Sequence, residues 1–275
     1  MNLFELKKKT VTDVFGPNTP SDCHRRELTS LEGMAKTVNH SFNCSHNKLK
    51  DLVGGPETVL GDFDCSNNEL ISLEGAPSKI DGIFDCSKNQ LTSIRHVTQH
   101  IQGSFCCDQN AIASLRGGPK KVDYAYSCVH NALITLEGAP VYVGNYFEAD
   151  YNALKSLIGA PRKIDGFFSV CNNELTSLEG IPEEITGSFY CHGNMLTSLQ
   201  GINKCKYIQG EIVAHDNPIK SHVLGVLLIK GVNLVKTGTS EVDHILYKYL
   251  RPDERDIIGC QHELIEAGFS EFAQL

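Results

Sequence analysis

No stretch of this sequence approaches 18 consecutive apolar residues, so no helical membrane span is expected. Basic residues are in deficit. Lys plus Arg is 25 against 33 Asp plus Glu, a formal net charge of −8. A phosphate backbone calls for a basic face, so no nucleic-acid partner is expected. There is no Trp. The common catalytic signatures are missing too: no phosphate loop, no G-x-S-x-G and no H-E-x-x-H. Met1-Asn2-Leu3-Phe4-Glu5-Leu6-Lys7-Lys8-Lys9 carries its charges after a short apolar stretch, the wrong order for a secretory signal. A cytoplasmic protein is therefore expected. What remains is 275 residues, 41% hydrophobic, enough to bury a core in one or two domains.

Cysteine, by contrast, is plentiful. Eleven in a chain this long, an odd number, argues against a disulfide framework. Their spacing marks a repeat instead. Cys44, Cys65, Cys86, Cys107 and Cys128 stand 21 residues apart, and the same step continues to Ala149, Val170 and Cys191. A step of 23 then reaches Ala214. Three residues after each comes Asn, from Asn47 to Asn217, nine times in register. Two residues before each comes Phe42, Phe63, Phe84, Phe105, Tyr126, Phe147, Phe168, Phe189 and Ile212. Two after the Asn the column runs from Leu49 to Ile219, and a further apolar column runs from Leu52 to Leu199.

The unit reads L-x-x-L-x-G-x-P-x-x-I-x-G-x-F-x-C-x-x-N-x. Its core, F-x-C-x-x-N-x-L, resembles the leucine-rich-repeat signature L-x-L-x-x-N-x-L, with Phe and Cys in the two central Leu places. The resemblance covers about residues 28–219. The short unit with Pro in its second half is similar to the bacterial and phage versions of the family. With its helical tail, the whole chain resembles the leucine-rich-repeat proteins of tailed bacteriophages.

The residues themselves point the same way. F-x-C alternates with period two, so both side chains face inward from one short strand. Gly and Pro turn the convex side, where a 21-residue rung leaves room only for extended or tightly turned chain. One rung cannot bury its own apolar face, and stacking makes a continuous core. At about 4.8 Å per parallel strand, nine rungs give a solenoid roughly 45 Å long. The expected fold class is a leucine-rich-repeat solenoid with a parallel concave sheet and a small α-helical C-terminal cap.

Three places depart from the unit. Rung three reads Ile94-Arg95-His96-Val97-Thr98 where others read L-E-G-A-P, so its convex turn must differ. Rung five has Tyr124 in place of Gly. Two extra residues enter between Gly201 and Gly210, so the last rung is expected to bulge.

Residues 1–27 lack the repeat and are expected to cap it, 28–219 form the solenoid, and 220–275 form a helical cap. In that tail Val223 to Ile229 reads as a buried helix. Ser240 is placed to cap a second helix, and Pro252 begins a third that ends at Gly268. These helices either cap only or also hold a partner.

The Asn column reads as structural, its amides pairing backbone groups of neighbouring rungs. The Cys column reads as buried apolar filling, kept as free thiols by a reducing cytosol. Cys260 reads as a buried helix residue. Function is sought on the concave face. Tyr124, Tyr146, Tyr151, Phe167 and Tyr190 fall on rungs five to eight, flanked by Asp108, Glu148 and Asp150, with His192 nearby. Aromatics on a rigid sheet make binding hot spots, and acidic neighbours favour a partner with basic residues. Ordinary cross-strand packing is the alternative. Cys171, His192 and His215 share one column, one rung after Asp150. They read as surface groups, with a zinc site or a Cys–His nucleophile as weaker alternatives.

The expected function is therefore non-enzymatic protein binding through the concave face, with no cofactor. The phage resemblance implies a partner in the bacterial host cytoplasm and inhibition of host defence. The alternatives are a virion-associated or self-assembling structural protein, or a metal- or Cys/His-dependent enzyme. Nothing in the sequence fixes the oligomeric state.

Overall fold

A computed structural model describes residues 8–16, 20–251 and 255–275. Rungs one to eight each contribute a two-residue strand beginning at the Phe-column residue, such as Phe42–Asn43 or Phe147–Glu148, and rung nine contributes Glu211–Val213. These strands stack in parallel and in register, each Phe-column residue opposite the next. They form one ten-stranded sheet. The Phe rings and the Cys column point inward and are buried from end to end. Successive rings lie 5.0–5.9 Å apart, a continuous stack from Phe42 to Phe168 and on to Phe189.

After the strand the chain must turn sharply. The residue before each Asn supplies the turn in the left-handed region: His46 (φ 55°), Asn67 (φ 54°), Lys88 (φ 56°) and so on to Asp216 (φ 54°). That backbone costs a non-Gly residue about 1–2 kcal/mol. The Asn beside it holds the corner. Asn68 Nδ2 donates to the carbonyls of Cys65 (3.1 Å) and, one rung back, Cys44 (3.0 Å), while its Oδ1 accepts from Leu49 N (3.1 Å). The expected structural role of this column is thus its observed one.

The convex side is extended, with two-residue strands such as Thr58–Val59 and Lys163–Ile164. These strands form two separate sheets, one of three strands and one of six. The break falls between Lys79–Ile80 and His100–Ile101, across the divergent rung-three turn. There His96 (φ 73°) takes the left-handed place that Gly75 (φ 85°) and Gly117 (φ 88°) hold in the adjacent rungs.

The ends differ in part from expectation. At the N-terminal end Cys23, 21 residues before Cys44, already sits buried in the Cys column. Its N–H donates to Asn43 O (2.8 Å), so residues 21–25 are a partial rung. Helix α1 (Val11–Phe15) packs Val11 into the core end, while 1–7 and 17–19 lie outside the described residues. At the other end the concave sheet continues past 219. Leu234–Lys236 pairs with Glu211–Val213 as the tenth strand. The run Val223–Ile229 is not an α-helix. It holds a short 3-10 turn, Leu224–Leu228, because this stretch is the convex segment of another rung and not the start of a bundle. Helix α2 (Ser240–Tyr249) covers that last strand. Ser240 is its first helical residue, and the preceding Thr239 makes no side-chain cap; Asp243 instead reaches back to Thr237 N (2.7 Å). Helix α3 (Ile257–Glu266) is capped by Asp256 at Gly259 N and is followed by Gly268 in the left-handed region. Cys260 is buried as expected; Pro252 lies outside the described residues. Among the described residues no helix is long and apolar enough to cross a membrane.

Candidate functional site

Strand alternation turns three columns outward onto the concave face: the residues before the Phe column, between Phe and Cys, and after Cys. On rungs six to eight these columns carry an aromatic run. Tyr146 and Phe167 stack with ring centroids 4.7 Å apart and planes 7° from parallel. Tyr190 meets Phe167 edge-on at 5.9 Å. All three are half-buried. The other two aromatics expected here lie apart. Tyr124 is 55% exposed just ahead of the rung-five strand. Tyr151 occupies the left-handed corner (φ 55°) and stacks on His130 at 4.4 Å. Its place in the F-x-C-x-x-N unit already marked it as a corner residue, since it directly precedes Asn152.

The acidic residues are anchored in a repeating way. Asp108 Oδ1 accepts from Ser127 Oγ (2.6 Å) and Val129 N (2.8 Å) on the next rung. Two rungs on, Asp150 Oδ1 accepts from Ser169 Oγ (2.6 Å) and Cys171 N (2.7 Å). Burial pushes the Asp108 carboxyl up, against those hydrogen bonds. Glu148 is on the same rung as Asp150, directly opposite Ser127 and Ser169 in the sheet. It is half-buried, and among the described residues its carboxylate makes no hydrogen bond or ion pair. Burial, and then the nearby Asp150 and Asp108, push its carboxyl up as well. Across rungs one to nine the three outward columns hold no Lys or Arg. One cation missed in sequence enters from the tenth strand: Lys236 Nζ reaches Glu211 Oε2 at 2.9 Å. Its strand lacks the repeat motif, so no column pointed to it.

Cys171, His192 and His215 are neighbours whose side chains pair and stack in sequence. Cys171 Sγ lies 3.1 Å from His192 Nδ1 and 3.3 Å from Ser169 Oγ. The two imidazoles stack at 4.8 Å, 18° from parallel, so their nitrogens do not converge on one point. His215 Nδ1 is engaged by Asp216 Oδ2 at 2.7 Å. Among the described residues no group of three or more His, Cys, Asp or Glu is placed to hold a metal ion. Burial pushes the Cys171 thiol up to about 11, so near neutrality it is a protonated donor rather than a nucleophile. The two-residue insertion does not disturb this column. It is absorbed on the convex side by the 3-10 turn Ile202–Lys204, and Ile212 still pairs with Phe189.

The fold is a parallel β-solenoid with about 21 residues to a rung. No family model matches the chain, and no curated protein matches it. Two solved structures match much of the chain. One is the functional domain of InlJ from Listeria monocytogenes, described as including a cysteine ladder, with 19% identity and a TM-score of 0.45. That match covers 76% of this chain and 46% of the InlJ chain. The other is YopM from Yersinia enterocolitica, with 15% identity and a TM-score of 0.33. It covers 78% of this chain and 63% of YopM. This chain therefore spans about half of the first and under two thirds of the second.

Proposed function

We propose that this solenoid is a non-enzymatic protein-binding scaffold whose concave face occupies a partner protein. The observation that carries the reading is the Tyr146–Phe167–Tyr190 run. Three large rings stand half-buried on the outward face of a sheet whose strands are locked above and below. Preformed aromatic surface of this kind binds with little loss of conformational entropy. The protonated Cys171 thiol and the lack of a converged ligand set favour binding over catalysis. Acidic groups on the same face favour a protein over a nucleic acid. No feature calls for a membrane or a cofactor. The resemblance to tailed-bacteriophage proteins extends the reading: the partner is a bacterial host protein in the cytoplasm, and occupying it blocks a defence function sterically.

The test is an affinity pull-down of the tagged chain from bacterial lysate, beside the double variant Tyr146→Ala, Phe167→Ala. A protein captured by the parent and lost by the variant, with both chains melting alike, is the expected result. Capture unaffected by the double variant would move the binding surface elsewhere. Light scattering on the same samples separates partner binding from self-assembly, in which the parent alone would form large particles.

A further inference from the structure

The outward face of rungs four to six joins two features that no described residue satisfies. One is the half-buried carboxylate of Glu148, without a partner among the described residues and within the field of Asp150 and Asp108. The other is the Tyr146 ring beside it, stacked on Phe167 on one side only. The next residue in the Tyr146 column is Ala125, too small to cover the ring's other side with an aromatic of its own. Asp108 and Asp150 each commit only one carboxylate oxygen to the neighbouring rung. No Lys or Arg stands in the outward columns of rungs one to nine, and the Lys236 ammonium is engaged by Glu211 at the far end.

We propose that this part of the concave face is the docking surface for an arginine-bearing segment of a partner protein, with one guanidinium seated on Tyr146 and paired with Glu148. The inference rests on the protein-binding reading and names the chemistry of its partner. Charge complementarity selects a cation. The neighbouring ring selects a flat one, because a guanidinium stacks on an aromatic while presenting its fork of N–H groups to a carboxylate. A lysine ammonium is a compact, strongly hydrated point charge and gains less from the ring. The raised carboxyls of Asp108 and Glu148 agree with a site that lacks its counter-charge. Unpaired carboxylates held in this way cost the free chain stability, as functional sites commonly do.

The test uses two fluorescent peptides, hexa-arginine and hexalysine, titrated into the full chain and followed by anisotropy at low salt. Hexa-arginine is expected to bind, with hexalysine at least threefold weaker. Glu148→Gln is expected to weaken hexa-arginine at least tenfold while raising the melting temperature, which shows that the loss is not unfolding. Ser127→Arg supplies the cation from within, since Ser127 is the strand neighbour of Glu148, and is expected to abolish peptide binding. Glu179→Gln, an exposed acid away from the sheet, is expected to change nothing. Equal losses from Glu148→Gln and Glu179→Gln would overturn the site in favour of diffuse attraction. Equal affinity for the two peptides would overturn the guanidinium. Absence of hexa-arginine binding would overturn the proposal outright. A lysate partner still lost by Tyr146→Ala with Phe167→Ala, but indifferent to Ser127→Arg, would then leave the protein-binding reading standing alone.

Discussion

Single residues show where this chain tolerates cost. Tyr126 occupies the Phe column with its hydroxyl buried and, among the described residues, without a hydrogen-bond partner. Its ring is well placed, stacked 5.0 Å from Phe147 and 6° from parallel. An unsatisfied buried hydroxyl costs about 1–3 kcal/mol, so Tyr126→Phe should raise unfolding stability by about 1 kcal/mol, read from urea denaturation. A loss of stability on substitution would mean that the hydroxyl has a partner in solution. The thiols make a second case. Burial pushes Cys171 up to about 11 and Cys106 up to about 12. Iodoacetamide labelling of the native chain should therefore keep accelerating about tenfold per pH unit above 9, where an ordinary thiol levels off. A plateau near pH 9, seen by mass spectrometry at Cys171, would contradict the buried, protonated thiol.

At the scale of the element, each rung is a strand, a left-handed corner and an extended return, held by one Asn. Asn131 Nδ2 donates to Cys107 O (3.0 Å) and Cys128 O (3.2 Å), and its Oδ1 accepts from Ile112 N (3.0 Å). Asn131→Ala strips several backbone groups of their partners at once and should cost about 3 kcal/mol or more. A loss under 1 kcal/mol would show that water replaces the amide. Gly138 tests the convex turn. It has φ 94°, and a Cβ there would lie 2.4 Å from Arg116 N, so Gly138→Ala meets both strain and backbone. These elements were legible in the sequence because the register recurs nine times, with Asn invariant and with Phe, Cys and Gly in most rungs. The tenth strand was not, since Leu234-Val235-Lys236 has no Phe, Cys or Asn to betray it. Apolar runs near Val223 looked helical because a short buried run has no period to separate helix from turn. At the site, the columns placed Tyr146, Phe167 and Tyr190 on the outward face. They could not show ring stacking, nor that Tyr151 turns away to His130. Glu148 could be placed from sequence, but its lack of a partner depends on which side chains reach it.

Over the whole molecule the charges set a pH response. Asp85, Asp108 and Glu148 are all raised, with burial the first cause. The folded chain therefore takes up these protons before the unfolded chain does. As pH falls from neutrality toward the ordinary carboxylate range, this group of sites adds stability. Below that range the balance reverses, because Asp22 beside His24 and Glu263 beside Lys248 are lowered and lose their pairing on protonation. These two are exposed and screened, so their share is small. The urea midpoint should rise slightly between pH 7 and 5.5, and less so in Glu148→Gln. A second expectation concerns the interrupted convex sheet. Amide exchange should be fastest, among the convex segments, near residues 95–100, where the two sheets fail to join. Uniform protection across rungs two to five would show the gap to be bridged. The Asn ladder has a further consequence, for length. Every Asn bonds to its own rung and to the one before, so the strand and its corner keep a fixed length, while the convex return takes up extra residues, as it does at the 3-10 turn Ile202–Lys204. Excising residues 134–154 would join Leu133 to Lys155 and bring every column back into line. Removing one residue fewer would leave a surplus residue on the convex return, where the two extra residues before Gly210 are already accommodated. Length along the concave sheet behaves like a count of rungs, and single residues are edited only on the convex side.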